Sequence, residues 1–213
     1  MKPRYRRPAM WTMLSILLVM GLLGRTQAGE PQEKIRQTVN AVLDVLADAS
    51  LKGPEHTQER RAKIRQAVLQ RFGFEEMAQR ALGVHWRKLT AEQKKELVPL
   101  FSDLLERSYI NKIEGYGSNK NNIRYLKESV DKDGYAAVLT EIVTRDLNVE
   151  VEYRLLQRDG DWQVYDVVIE GVSLVNNYRT QFNKIIRQES YEALVKQMKQ
   201  KLEQEEAAEG SKN

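Results

Sequence analysis

Apolar side chains follow a helical period in the first half of the chain. They recur every three or four positions between residues 31 and 113, which is the spacing of amphipathic helices. This pattern predicts three helices, over residues 31–50, 57–71 and 72–82. Gly83 follows the third of them, and glycine commonly ends a helix.

A fourth, longer helix is predicted to begin after Thr90. Thr90 and Gln93 have the spacing of a capping box, in which the two side chains satisfy backbone N–H groups of the first turn. Pro99 lies inside the apolar pattern of this helix. Because proline removes one helical hydrogen bond and clashes with the preceding turn, we expect a kink or a split there.

The period shortens to two in the second half of the chain. Alternating apolar and polar residues predict four β-strands, over residues 122–130, 135–145, 149–157 and 162–170. The connections are short, and Asp159-Gly160 is a typical hairpin turn, so the strands are expected to form an antiparallel meander. Two further helices, over residues 173–189 and 190–206, complete an α+β fold.

The N-terminus has the three parts of a signal peptide. Basic residues precede an apolar run from Met10 to Leu23, and small residues at Thr26 and Ala28 follow it. The run is shorter than the ~20 residues that a membrane-spanning helix needs, which argues against an uncleaved anchor. The expected organisation is a signal peptide over residues 1–28, one domain over 29–206 and a flexible tail over 207–213.

Removal of the signal peptide changes the charge of the protein. The whole chain has 34 Lys and Arg and 30 Asp and Glu, a net charge of +4. Five of the basic residues and none of the acidic ones lie in residues 1–28, so the mature chain has 29 against 30 and a net charge of −1. A nucleic-acid partner therefore has no support from overall charge. The chain contains no cysteine, which excludes disulfides and thiol chemistry and is compatible with a bacterial periplasm.

Candidate catalytic and metal-binding residues are few. The only histidines, His56 and His85, lack the spacing of metal ligands. Gly171, Ser173 and Val175 resemble a nucleophile elbow, but valine stands where the elbow needs a small residue, and no histidine lies downstream. We therefore interpret Ser173 as the cap of the next helix, and we expect no catalysis, no metal and no cofactor.

Asp166 is an acidic residue inside the apolar fourth strand. A carboxylate in such a place needs a partner, and Arg179 in the second turn of the following helix is the candidate. We expect Asp166 and Arg179 to form a structural pair. The alternative is a general base with a raised pKa.

Two stretches of the sequence resemble signatures of a known family. Residues 162–182, with Asp166, Glu170-Gly171, Ser173 and Tyr178-Arg179, form the first stretch, and residues 77–86 form the second. Both resemble the MlaC family, the periplasmic phospholipid-binding proteins of the Mla transport system, also called the toluene-tolerance auxiliary family.

The resemblance implies a fold and a function. It implies a four-stranded twisted antiparallel sheet packed against several helices, NTF2-like in outline, with a lipid cavity between the two layers. It also implies a periplasmic shuttle that carries phospholipid between an outer-membrane lipoprotein complex and an inner-membrane MCE/ABC transporter complex. A hopanoid-associated branch of the family leaves a polycyclic lipid open as cargo. A cargo-free periplasmic interaction module is a further alternative.

Apolar and aromatic residues on the predicted elements are the candidate lipid contacts. They comprise Phe74, Met77, Leu82, Trp86, Leu100, Phe101, Leu104, Leu105, Tyr109, Val151, Tyr153, Tyr165, Val167, Ile169, Val175 and Tyr178. An ordinary packed core uses the same residue types, so this assignment depends on the resemblance.

Overall fold

A computed structural model describes residues 29–144 and 147–210 of the chain. The predicted signal peptide, residues 1–28, lies outside the described residues. Among the described residues, no helix is both long enough and apolar enough to span a bilayer.

Four α-helices precede the sheet in the part of the chain that the structure describes. They are α1 (Glu30–Ala47), α2 (Thr57–Leu69), α3 (Phe74–Leu82) and α4 (Ala91–Gly115). The capping box of α4 is confirmed, since the Thr90 side chain accepts from the Gln93 N–H and the Gln93 side chain accepts from the Thr90 N–H.

Helix α4 continues through Pro99 as one element, so the expected split is absent. The backbone hydrogen bond that proline removes is the one to the carbonyl of Lys95. Both Lys95 and Pro99 are exposed, so water can hydrate the freed carbonyl, and the tertiary contacts of α4 hold the helix together.

Within residues 29–144 and 147–210, the sheet has five strands rather than the predicted four. They are β1 (Ile123–Val130), β2 (Tyr135–Val143), β3 (Asn148–Arg158), β4 (Asp161–Ile169) and β5 (Val172–Ser173), and each strand pairs antiparallel with the next. The extra strand, β5, has only two residues, too few to show an alternating pattern. It pairs with β4 across a tight turn at Glu170 and Gly171, both of which have positive φ.

Two α-helices follow the sheet in the described residues, α5 (Leu174–Gln188) and α6 (Tyr191–Gly210). Helix α6 continues past residue 206, where the sequence predicted the start of a flexible tail.

The helices divide the interior into two parts. Parts of α3, α4, α5 and α6 pack on one another around Phe101, whose ring lies edge-on to those of Tyr178 and Phe182 at 5.4 Å and 5.7 Å. The second part, between the sheet and helices α1, α2 and α4, is not filled by side chains.

Candidate functional site

A cavity of about 440 Å³ separates the sheet from helices α1, α2 and α4. Well-packed protein interiors contain few voids larger than one water molecule, so a space of this size is not a packing defect. It falls in the range of ~300–1,000 Å³ that is typical of ligand pockets.

The sheet forms the floor of the cavity. Val151 and Tyr153 of β3 lie beside Ile169 and Val167 of β4 in the strand register, and all four side chains line the cavity. Residues two apart on a strand point to the same face, so this pairing produces a continuous apolar surface. Ile142 of β2 extends it on the other side of β3.

Three helices form most of the walls, and α3 adds Phe74 and Met77. Helix α4 contributes a stripe at helical spacing that includes Leu105, Tyr109 and Ile113. Helix α1 contributes Val39, Val42, Leu43 and Leu46, and helix α2 contributes Ile64, Val68 and Leu69. The sequence prediction did not include the residues of α1 and α2 in the site, although their apolar spacing was visible.

The cavity opens where its lining residues meet solvent. Leu69 at the end of α2 is 48% exposed, and Val172 in β5 is 55% exposed.

Charged side chains also line the cavity. Arg65 forms ion pairs with Asp103, at 2.6 Å, and with Glu106, while the ammonium of Lys112 lies 5.4 Å from the centre of the Tyr109 ring.

Two tyrosine side chains in the lining, Tyr109 and Tyr153, remain uncharged. Burial raises the pKa of Tyr153, and burial also raises the pKa of Tyr109, because a phenolate in a poorly hydrated site is disfavoured. Both hydroxyls are therefore protonated at neutral pH. In the described residues, the strands contribute no charged side chain to the floor of the cavity.

The structure brings half of the predicted lipid contacts to the cavity. Those that line it are Phe74, Met77, Leu105, Tyr109, Val151, Tyr153, Val167 and Ile169. The others lie elsewhere, namely Leu82, Trp86, Leu100, Phe101, Leu104, Tyr165, Val175 and Tyr178.

Most of the second group lies in the helical part of the core. Phe101, Leu104, Leu105 and Tyr109 of α4 all belong to the core or pack against it, but only the last two also line the cavity. Leu104 and Leu105 are adjacent in sequence and about 100° apart around a helix axis. The sequence shows one wide apolar stripe and does not reveal which side of it faces an empty space.

Tyr165 is turned away from the cavity by a β-bulge. Arg154 pairs with Asp166 and Leu155 pairs with Val164, so Tyr165 has no partner on β3. The extra residue shifts the alternation of β4 by one position. The Tyr165 ring instead packs under the guanidinium of Arg80, 4.1 Å from its centre.

Asp166 has partners other than the predicted one. It is 4% exposed; the Ser173 hydroxyl donates to its Oδ2 at 2.6 Å, and the Val175 N–H donates to its Oδ1 at 3.0 Å. Its cationic partner is Arg154, at 3.4 Å, and not Arg179. The sequence prediction did not identify Arg154, because it rested on an unbroken alternation along β4. In that alternation, Arg154 and Asp166 would not be paired.

Ser173 is confirmed as a helix cap. Its Oγ accepts a hydrogen bond from the Asn176 N–H at 3.0 Å, while its hydroxyl proton points to Asp166. His85, whose Nε2 lies 3.0 Å from Asn183 Oδ1, is engaged elsewhere. Within residues 29–144 and 147–210, no cluster of acidic residues and histidines could hold a metal ion.

We expect Ser173→Ala to lower stability by about 1–2 kcal/mol, because it removes a helix cap and a hydrogen bond to a buried carboxylate. Ser190→Ala is the matched control: Ser190 accepts from the Ala193 N–H at 3.1 Å, and this cap has no buried partner. Chemical denaturation of both variants provides the measurement. An equal effect at the two positions would contradict a structural role of the Ser173–Asp166 bond.

Comparisons with known proteins agree on one family. Residues 36–200 match the family model described as MlaC protein. The intermembrane phospholipid transport system binding protein MlaC of Haemophilus influenzae is 22% identical over 200 residues, which are 91% of this chain and 93% of that protein. The solved structure of a phospholipid-binding protein from Ralstonia solanacearum, in complex with a phospholipid, is similar with a TM-score of 0.73. It is 25% identical, and the match covers 82% of this chain and 97% of that one.

Proposed function

Because the chain belongs to the MlaC family, whose model matches residues 36–200, we propose that it is a periplasmic phospholipid carrier. The observation that carries this proposal is the apolar cavity of about 440 Å³ between the sheet and the helices. Acyl chains occupy that cavity. The headgroup lies where the cavity lining meets solvent, so that its polar atoms keep access to water.

The lining favours flexible acyl chains as cargo. Apolar side chains from the sheet and three helices surround the space, so burying methylene groups there supplies the binding free energy. The charged groups in the lining, Arg65, Glu106 and Lys112, come from the helices and suit a zwitterionic or anionic headgroup. The phospholipid in the Ralstonia structure supports the same cargo class. A hopanoid or another polycyclic lipid is the competing cargo, and a cargo-free interaction module is the competing function.

The carrier releases its cargo by contact and not through water. Burying one methylene is worth about 0.8 kcal/mol, so exposing two chains with roughly 30 methylenes would cost on the order of 24 kcal/mol. This cost exceeds the practical limit of ~21 kcal/mol for non-covalent affinity. Transfer between the cavity and a bilayer exchanges one apolar environment for another and is therefore reversible.

Directed delivery requires protein partners at the two membranes. The mature chain has a net charge of −1, which gives little general attraction to anionic bilayers. We propose an inner-membrane MCE/ABC transporter complex and an outer-membrane lipoprotein complex as these partners, between which the protein shuttles.

Lipid transfer is expected to be slow with protein-free acceptor liposomes and fast when the liposomes contain either reconstituted complex. The assay follows a labelled phospholipid from the loaded protein into the acceptor membrane. Heat-inactivated complexes in identical liposomes are the control. Rapid and complete transfer to protein-free liposomes would contradict the partner-dependent model.

Export requires cleavage of the precursor, and the predicted site is adjacent to a specific contact. The backbone nitrogen of Gly29 lies 2.6 Å from Glu128 Oε1, and the Gln32 N–H donates to Glu128 Oε2 at 2.7 Å. Cleavage after Ala28 makes the Gly29 nitrogen an ammonium group and this contact an ion pair, which is stronger than a neutral hydrogen bond.

N-terminal sequencing of exported protein is therefore expected to begin at Gly29. The mature protein is also expected to unfold at a higher temperature than the same chain extended by Ala28, and Glu128→Gln should abolish this difference. A mature N-terminus that retains Trp11 would show that the apolar run is an anchor and not a signal peptide.

A further inference from the structure

A strongly basic surface lies apart from the cavity, on α5 and on the short helix Gly83–Lys88. We call it the basic face and define it by Val84, Arg87, Lys88, Arg179, Lys184 and Arg187. All six residues are exposed, and Val84, at 66%, is the most exposed of the large apolar residues described. None of the six lines the cavity.

Specific contacts hold the two segments together. Gly83 has a φ of +55°, and a Cβ at this position would approach Nε of Arg179 to 3.1 Å, so the guanidinium lies directly against the glycine. Two residues further on, His85 Nε2 lies 3.0 Å from Asn183 Oδ1. Both contacts join the Gly83–Lys88 helix to the same side of α5, because Arg179 and Asn183 are four residues apart on that helix.

The charges of the basic face are uncompensated. Residues 77–91 and 171–188 contain no Asp or Glu. The five cations of the face form no ion pair with any residue in the described part of the chain. The acid that follows α5, Glu189, accepts hydrogen bonds from Gln197. Unpaired like charges repel one another, so this surface gains stability when an acidic partner covers it.

We propose that the basic face is a docking site for an acidic protein surface. The mature chain is slightly acidic overall, so a cluster of five cations is a local asymmetry that orients the molecule toward such a partner. Three of the five are arginines, which pair with carboxylates in a bidentate geometry and are enriched at protein interfaces.

An anionic bilayer fits this surface less well. Helices that lie on membranes insert Trp, Phe or Leu side chains beside their cations, whereas the only large apolar residue of the basic face is Val84. Other exposed residues of α5 include Asn176, Asn177 and Gln181, whose amides can form directional hydrogen bonds with a protein surface. The inference rests on the proposed function only for its choice of partner proteins as probes.

The test compares two variants that each reverse two charges. Arg87→Glu with Arg179→Glu alters the basic face, and the control variant, Lys127→Glu with Lys132→Glu, makes the same change in net charge at exposed positions of β1 and of the turn that follows it. Association of each mature protein with the purified inner-membrane MCE/ABC complex and with the purified outer-membrane lipoprotein complex is measured at low and high salt. Phosphatidylglycerol vesicles without protein form a third arm, and bound lipid is quantified in every sample.

The basic-face variant is expected to associate with at least one complex about tenfold more slowly or about tenfold more weakly. The control variant is expected to remain within about twofold of wild type in both quantities. The corresponding Gln variants should be intermediate, and high salt should reduce the difference. Both Glu variants should retain normal lipid, because none of the altered residues lines the cavity.

Three results would overturn the proposal. They are unchanged association of the basic-face variant, no association of wild type with either complex, and a defect confined to the phosphatidylglycerol vesicles. A wild-type protein without lipid would contradict the carrier function instead, and the association data would still decide the role of the basic face.

Discussion

Replacement of Leu105 by tryptophan is expected to leave the protein folded and to remove most of its bound lipid. Leu105 lines the cavity from α4, opposite a floor made of Val151 and Tyr153. A tryptophan there can extend into empty space instead of displacing packed neighbours. The lipid must then compete with a covalently attached indole for the same volume.

Leu104→Trp is the matched control, because the two positions are adjacent on α4. Leu104 is 3% exposed, belongs to the packed core and does not line the cavity. Overpacking of such a site typically costs about 1–3 kcal/mol, which corresponds to a fall of roughly 2–12 °C in Tm for a domain of this size. The folded fraction should still carry lipid.

Lipid extraction and thermal unfolding of both variants give the decisive comparison. A lipid cavity beside Leu105 predicts lipid loss without instability for Leu105→Trp and instability without lipid loss for Leu104→Trp. If Leu105→Trp unfolds while its remaining folded molecules hold normal lipid, the cavity is part of an ordinary core.

Asp166→Ala is expected to destabilise the protein by roughly 2–4 kcal/mol. The substitution removes the acceptor of the Val175 N–H and of the Ser173 hydroxyl at the start of α5, and leaving buried donors unpaired costs about 1–3 kcal/mol each. Loss of the ion pair with Arg154 contributes little to this destabilisation, because the Arg154 side chain is 41% exposed and also pairs with Glu152 at 2.7 Å.

Asp166→Asn separates these contributions. The amide oxygen can still accept from the Val175 N–H, so this variant should keep most of the stability that Asp166→Ala loses. Urea denaturation with lipid analysis of the folded fraction is the measurement. An Asp166→Ala protein that is as stable as wild type but cannot bind or deliver lipid would show that the carboxylate has a direct functional role.

The sequence predicted correctly the helix caps and the fold class, which depend on residues close together in the chain. The capping box at Thr90 and the cap at Ser173 follow from the hydrogen-bonding capacity of single side chains near helix starts. The α+β class and the antiparallel meander follow from the change of apolar period and the short connections. These features need no knowledge of distant contacts.

The cavity itself required information that the sequence does not contain. An apolar residue beside an empty space and one beside a packed neighbour look alike in a periodic pattern, as Leu105 and Leu104 illustrate. The bulge at Tyr165 also has no local signature, and it reverses the side to which preceding residues of β4 point. The partner of Asp166 was missed for the same reason.

The most direct test of the carrier function is organic extraction of the purified mature protein, followed by mass spectrometry of the extract. We expect phospholipid in a fixed molar ratio to the wild-type protein and little in Leu105→Trp, while Leu104→Trp retains its share per folded molecule. A wild-type protein that yields no lipid, or only a polycyclic lipid, would contradict the phospholipid carrier proposed from this cavity.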